Sequence, residues 1–142
     1  MLAVVEQGFT GKIVRKGASP PFALPQEGEP LNLAGYDCVG ISLVPWDADL
    51  EEFRAMVRER LGALVALAEE QGFEPMITEF GIWGPGKDLP PEVQAEAISV
   101  IFEEGQRTGI RGYIVFDSPS GEYLRVKGSS IEEVVKRFFR SM

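Results

Sequence analysis

The chain has 142 residues, of which 44% are hydrophobic and 25% are charged, and its formal net charge is −8. This is the size and composition of one globular domain, and no apolar run is long enough to span a membrane. The chain is acidic and has no cluster of Lys or Arg. This argues against nucleic acid or an anionic membrane as a partner, because positively charged side chains drive both kinds of binding.

Two residue types restrict the chemistry further. The sequence contains no histidine, which excludes a Ser-His-Asp triad, a Cys-His pair and His-containing zinc sites within this chain. Its one cysteine, Cys38, lies in an apolar run and is expected to be a buried structural residue without a disulfide partner. We therefore expect no metal and no cofactor, and carboxylates are the natural candidates for catalysis.

In chain order, residues 1–8 are typical of the end of a helix and lack the basic and apolar regions of a signal peptide. This slightly favours a cytoplasmic protein but does not determine the compartment. A first strand is predicted over 12–16. The segment 17–30, which is rich in Pro and Gly, is expected to be a loop in place of a helix.

Three further strands are predicted over 37–44, 74–80 and 111–117, as nearly continuous apolar runs that suit a parallel sheet covered on both faces. Alternating strands and helices with right-handed crossovers form either a doubly wound sheet or part of a barrel. Periodicity alone does not separate these two folds.

Three helices are predicted between and after these strands. The first covers 50–71, begins with a capping box at Asp49 and ends at Gly72. The second opens at Pro90-Pro91, since proline is tolerated in the first turn. The third follows a capping box that begins at Ser130.

A motif in the third predicted strand separates the two folds. Met76-Ile77-Thr78-Glu79-Phe80-Gly81, followed by Trp83, resembles the seventh-strand signature of the large clan of retaining glycoside hydrolases built on (βα)8 barrels. The segment 35–46 resembles the clan's sixth strand, and 109–116 resembles its eighth. The matches occur in order along nearly the whole chain and would make 12–16 the fifth strand.

The resemblance implies an α/β fold, namely a partial (βα)8 TIM barrel: a half-barrel of about four parallel strands with outer helices. Residues 1–142 would form a single domain, the C-terminal part of a larger glycosidase-like barrel. The expected partner is a missing N-terminal half-barrel or a second copy of the chain, because an open half-barrel exposes both edge strands and an apolar inner face.

The resemblance also implies that Glu79 is the nucleophile. The residue ends a strand on the face where (βα)8 barrels carry their active sites. Simple alternation along the strand predicts that Glu79 shares a face with Ile77 and opposes Thr78 and Met76.

The expected substrate is carbohydrate, bound by side chains near the strand ends. Trp46, Trp83 and Phe116 lie at or just after predicted strands and are expected to stack on sugar rings. Asp117 and Asp47 are the nearest internal carboxylates, and for each we expect a structural or hydroxyl-binding role.

A retaining mechanism needs a second carboxylate about 5–5.5 Å from the nucleophile. In the clan this acid follows an Asn at the end of the fourth strand, and the chain contains no Asn-Glu pair. The clan's sixth-strand aromatic is also replaced, by Leu43 or Val44. The leading hypothesis is therefore a retaining hydrolase of β-linked oligo- or polysaccharides whose isolated chain is inactive.

The sequence leaves two alternatives open. One is a non-catalytic, degenerate half-barrel that binds carbohydrate or a partner chain. The other is an independent flavodoxin-like α/β domain, although Gly84-Pro85-Gly86 lacks the spacing of a phosphate-binding loop.

Overall fold

A computed structural model describes residues 10–17, 33, 35–45, 49–117 and 123–142. Within these residues, strands alternate with helices along the chain. The strands are β1 (Val14–Gly17), β2 (Cys38–Leu43), β3 (Glu74–Phe80) and β4 (Gly112–Val115). The helices are α1 (Leu50–Gln71), α2 (Pro91–Arg107) and α3 (Glu132–Ser141), and a short 3-10 helix, Gly84–Asp88, follows β3. None of the helices in this part of the chain is long and apolar enough to cross a membrane.

The four strands pair in chain order, β1-β2-β3-β4, and every pairing is parallel. A doubly wound sheet reverses its strand order at a switch point. Right-handed crossovers that always advance in one direction instead keep the helices on one face of the sheet. Helix α1 contacts both α2 and the strands β2 and β3, in agreement with the second arrangement. The described sheet is therefore singly wound, as a segment of a (βα) barrel is.

Local sequence accounts for α1. Asp49 Oδ1 accepts a hydrogen bond from the N–H of Glu52 at 2.9 Å, and Gly72 ends the helix with a left-handed φ of 78°. The predicted bounds of this helix are confirmed. The side chains that this helix buries form one apolar stripe at helical spacing: Phe53, Val57, Leu61, Leu64 and Ala68.

The hydrophobic core lies between the sheet and the helices. One face of β2 and β3 enters it, and these side chains are fully or almost fully buried: Val39, Ile41, Leu43, Ile77 and Phe80. We call the opposite side of the sheet the inner face. In register across the four strands it carries Lys16, Gly40, Met76 and Gly112.

A one-residue bulge in β3 determines where Glu79 points. Ile77 pairs with Ile41 and Glu79 pairs with Ser42, so Thr78 is the extra residue. Because Ile41 and Ser42 face opposite sides of the sheet, Ile77 and Glu79 do so as well. The prediction that Glu79 shares a face with Ile77 is therefore wrong: Ile77 enters the core, whereas Glu79 lies on the inner face.

Thr78 and Met76 lie on the inner face with Glu79, which simple alternation also missed. A Cβ atom added at Gly40 would overlap the methyl group of Thr78, and one added at Gly112 would lie 2.7 Å from the side chain of Met76. The glycines of the neighbouring strands thus leave the space that these two side chains occupy.

Helix α3 begins without the predicted capping box. Its N-cap is Ile131, which makes no side-chain capping bond. The Ser130 hydroxyl instead donates to Oε1 of the buried Gln94 at 2.5 Å. The capping prediction is wrong because a tertiary contact takes the hydroxyl that local sequence assigned to the helix end.

Candidate active site

Glu79 lies near the C-terminal end of β3, and only 9% of its side chain is exposed. Its Oε2 atom accepts a hydrogen bond from Ser42 Oγ at 2.8 Å and forms an ion pair with Lys16 Nζ. Its Oε1 atom accepts a hydrogen bond from the Tyr123 hydroxyl at 2.6 Å. The carboxylate is thus held at both oxygens by residues from β1, β2 and the segment after β4.

These contacts set the ionisation of Glu79. Burial raises the pKa of this carboxyl, but hydrogen bonds from Lys16, Tyr123 and Ser42 together lower it by more, so that its pKa lies below the ordinary value for Glu. Glu79 is therefore ionised at neutral pH. A carboxylate nucleophile needs this state, whereas a general acid must be protonated.

Aromatic rings border the carboxylate on the Tyr123 side. The Phe116 and Tyr123 ring centroids lie 4.1 Å apart, and those of Trp83 and Tyr123 lie 6.2 Å apart. The backbone of Trp83 also forms an antiparallel bridge with that of Tyr123. Tyr123 therefore brings two of the predicted sugar-binding residues, Trp83 and Phe116, next to Glu79.

The loop that carries Trp83 is fixed to α2. The buried Gln94 side chain donates hydrogen bonds to the backbone oxygens of Gly86, at 3.2 Å, and Lys87, at 2.9 Å. Gly81 lies so close to β4 that an added Cβ would be 3.1 Å from the Phe116 oxygen. The end of β3 therefore lies against Phe116, and two side-chain hydrogen bonds hold its following loop to α2.

Among the described residues, one predicted site residue, Asp117, is not brought to Glu79. Asp117 is exposed after β4, and none of the described hydrogen bonds or ion pairs joins it to the Glu79 carboxylate. Trp46 lies outside the described residues, as does Asp47. Their roles stay predictions. Within the described part of the chain, no group of three or more Cys, Asp or Glu residues could hold a metal ion.

Three residues that touch Glu79 were missed in the sequence. Ser42 belongs to the segment that resembles the sixth strand, so its position was visible but its role was not. Lys16 ends the predicted first strand, and only the strand order reveals that it reaches β3. Tyr123 lies in a segment without periodicity or motif, and the sequence gives no signal for it.

The fold is similar to that of solved β-mannanases. A β-1,4-mannanase of glycoside hydrolase family 113 aligns with a TM-score of 0.66 and 18% identity over 99% of this chain and 49% of that chain. Two endo-β-1,4-mannanase structures from Thermotoga petrophila align with TM-scores of 0.54 and 0.52. They are 13% and 14% identical, over 75% and 74% of this chain and 34% and 26% of theirs.

These likenesses establish the fold class. The chain is a partial (βα)8 barrel, as the resemblance of its strands implied. Its structural neighbours are, more particularly, β-mannanases, and it spans at most 49% of their chains. No protein-family model and no curated protein matches the sequence.

Proposed function

We propose that the chain supplies the nucleophile half of a retaining glycoside hydrolase site that acts on β-linked oligo- or polysaccharides. One observation supports this most directly: the Glu79 carboxylate is ionised, buried and held at both oxygens at the C-terminal end of a barrel strand. This is the position from which (βα)8 barrels act on substrates.

The proposed reaction has two steps. The Glu79 carboxylate attacks the anomeric carbon while the glycosidic C–O bond breaks and the leaving oxygen takes a proton from a general acid. Water then attacks the same carbon, gives its proton to the conjugate base of that acid and releases Glu79. Ser42 and Tyr123 hold the carboxylate in one orientation before the attack. The entropy cost of orienting it is therefore not added to the activation barrier.

The second carboxylate has to come from outside the contacts that surround Glu79. The described residues that contact its carboxylate are a lysine, a serine and a tyrosine. In the proposal the general acid belongs to an N-terminal half-barrel or to a second copy of the chain. Completion by either would also cover the inner face of the sheet.

The structural neighbours suggest the substrate. The solved proteins are named as β-1,4-mannanases, and we take β-1,4-linked mannan as the first substrate to test. Trp83 and Phe116 would stack on sugar rings beside Glu79, with Trp46 and Asp117 completing the sugar site. Each aromatic residue can offer a flat apolar face to a pyranose ring.

The test uses a substrate that does not need the acid. Dinitrophenyl β-mannoside has a leaving group that departs without protonation, so the first step depends on the nucleophile alone. We expect slow release of dinitrophenolate by the unmodified chain and loss of this release in Glu79→Gly. Added azide should restore the release in the variant, with α-mannosyl azide as the sugar product. Glu74→Gly, at the exposed start of the same strand, is the matched control and keeps the activity. Undiminished release by the Glu79→Gly variant would contradict the proposal.

A second function is favoured by the absence of a carboxylate among the described contacts of Glu79. The chain would then bind β-linked oligosaccharides without hydrolysing them. Calorimetric titration with mannooligosaccharides distinguishes the two functions. Binding without release of dinitrophenolate from the activated substrate would support this second function.

A further inference from the structure

The cation beside Glu79 comes from the edge of the described sheet. Lys16 lies on β1, whereas Glu79 lies on β3, and β2 runs between them. Strands two positions apart are separated by about 10 Å, which a lysine and a glutamate side chain can bridge together. The Lys16 ammonium meets Oε2 of Glu79, the atom that also accepts the Ser42 hydrogen bond.

Lys16 has a second partner on the sugar side of the site. Its ammonium lies 5.7 Å from the centroid of the Phe116 ring, within the range of a cation–π contact. Half of the Lys16 side chain is exposed, although Glu79 itself is buried. The ammonium therefore stands between the carboxylate, the Phe116 ring and the open inner face.

We propose that Lys16 is a positioning residue of this site, which holds the Glu79 carboxylate in place and remains as its charge partner through both chemical steps. The inference rests on the proposed function. It adds a residue that the motif around Glu79 does not contain and that comes from a different strand.

The role of the ammonium differs between the two steps. The free carboxylate carries a full negative charge, the transition states carry part of it, and the glycosyl ester carries none. An ammonium therefore stabilises the starting state of the first step more than its transition state. In the second step the ester is neutral and charge returns to the carboxylate as the C–O bond breaks, so the ammonium stabilises that transition state more.

This asymmetry gives a kinetic signature. With dinitrophenyl β-mannoside in a stopped-flow experiment, Lys16→Met is expected to keep the initial burst of dinitrophenolate while the steady-state rate falls on the order of tenfold. Lys16→Arg retains a cation and is expected to restore the steady-state rate. A general loss of structure would instead lower the burst and the steady state together, which would overturn the proposal.

A second experiment tests the contact between Lys16 and Glu79 without measuring glycosidase activity. Carbon-13 NMR titration of labelled glutamate carboxyl groups, with the Glu79 signal assigned by its absence in Glu79→Gln, measures the pKa of Glu79 directly. Among the described residues, Lys16 and Tyr123 are the titratable groups in contact with this carboxyl. We expect the pKa of Glu79 to be higher in K16M than in the unmodified chain, and to be close to that of the unmodified chain in K16R.

The matched control is Lys12→Met. Lys12 precedes the same strand and forms an ion pair with Glu74, at the opposite end of β3 from Glu79. The pKa of Glu79 is expected to stay unchanged in K12M, and circular dichroism verifies that both variants are folded. An unchanged pKa of Glu79 in folded K16M would overturn the role of Lys16. A raised pKa in a chain without glycosidase activity would contradict the proposed function while supporting Lys16 as the charge partner.

Discussion

At the scale of single residues, Glu79 shows how a buried carboxylate stays ionised. Burial favours the neutral form, but three donors from three segments outweigh it. The Tyr123 hydroxyl is the donor on Oε1, at 2.6 Å. Tyr123 follows β4, whereas Lys16 and Ser42 belong to β1 and β2.

Tyr123→Phe tests this hydrogen bond. Removing the hydroxyl takes away one donor to the charged form, so the pKa of Glu79 rises. Because the proposed nucleophile reacts in its ionised form, we expect the acidic limb of the kcat/KM profile for the activated mannoside to move to higher pH. Tyr113→Phe is the control, since the Tyr113 hydroxyl donates to the Ile110 oxygen rather than to Glu79. An acidic limb at the same pH in the Tyr123→Phe variant would show that this donor does not act on Glu79.

The sequence singled out Glu79 as a candidate but gave no indication of the residues that contact it. The residue stands out because a short motif surrounds it on one strand. Lys16 and Tyr123 are distant in sequence from that motif, and their contacts depend on strand order and on the path of the chain after β4. Pairings of this kind are set by tertiary structure, so local patterns do not contain them.

At the scale of elements, the bulge at Thr78 is the feature that orients the site. Bulges commonly redirect a side chain near active sites. Here the extra residue places Glu79 beside Ser42 instead of in the core with Ile77. The bounds of β3 and α1 could be predicted because their signals are local. The bulge could not, because a register shift is a property of two strands.

Gly40→Ala tests the packing of the bulge. The new methyl group would overlap the buried Thr78 side chain, and we expect a loss of about 1–3 kcal/mol in the free energy of unfolding. Gly62→Ala is the control: Gly62 lies in the exposed interior of α1 with nothing within 4 Å of its added Cβ. It should gain about 0.5–1 kcal/mol because alanine favours helix over glycine. Denaturant unfolding measures the change in the free energy of unfolding for both variants. A Gly40→Ala variant as stable as the unmodified chain would contradict the close packing of Gly40 against Thr78.

At the scale of the whole molecule, the described inner face presents apolar groups to solvent. Val14 and Ile114 are 41% and 47% exposed. The strand register places both on the face that carries Lys16 and Gly40. In a closed barrel this face would be packed by the remaining strands. Half a barrel therefore accounts for the exposed apolar groups, and under the proposed function it also accounts for a general acid that comes from outside the described contacts of Glu79.

We expect the isolated chain to associate or to bind a hydrophobic dye. Ile114→Asp should lower both the mass measured by light scattering and the dye fluorescence, because it places a charge on the inner face. Met142→Asp makes the same change at an exposed apolar residue at the end of the chain, and we expect it to alter neither measurement. A monodisperse monomer without dye binding would contradict the need for a partner.

Trapping a glycosyl-enzyme tests most directly whether Glu79 is the nucleophile that we propose. Dinitrophenyl 2-deoxy-2-fluoro-β-mannoside carries a leaving group that needs no acid and a fluorine that slows breakdown of the ester. After incubation with the chain, mass spectrometry of the intact protein and of its peptides is the measurement. We predict one added fluorosugar, located on Glu79. An unlabelled chain, or a sugar attached to another residue, would contradict the claim.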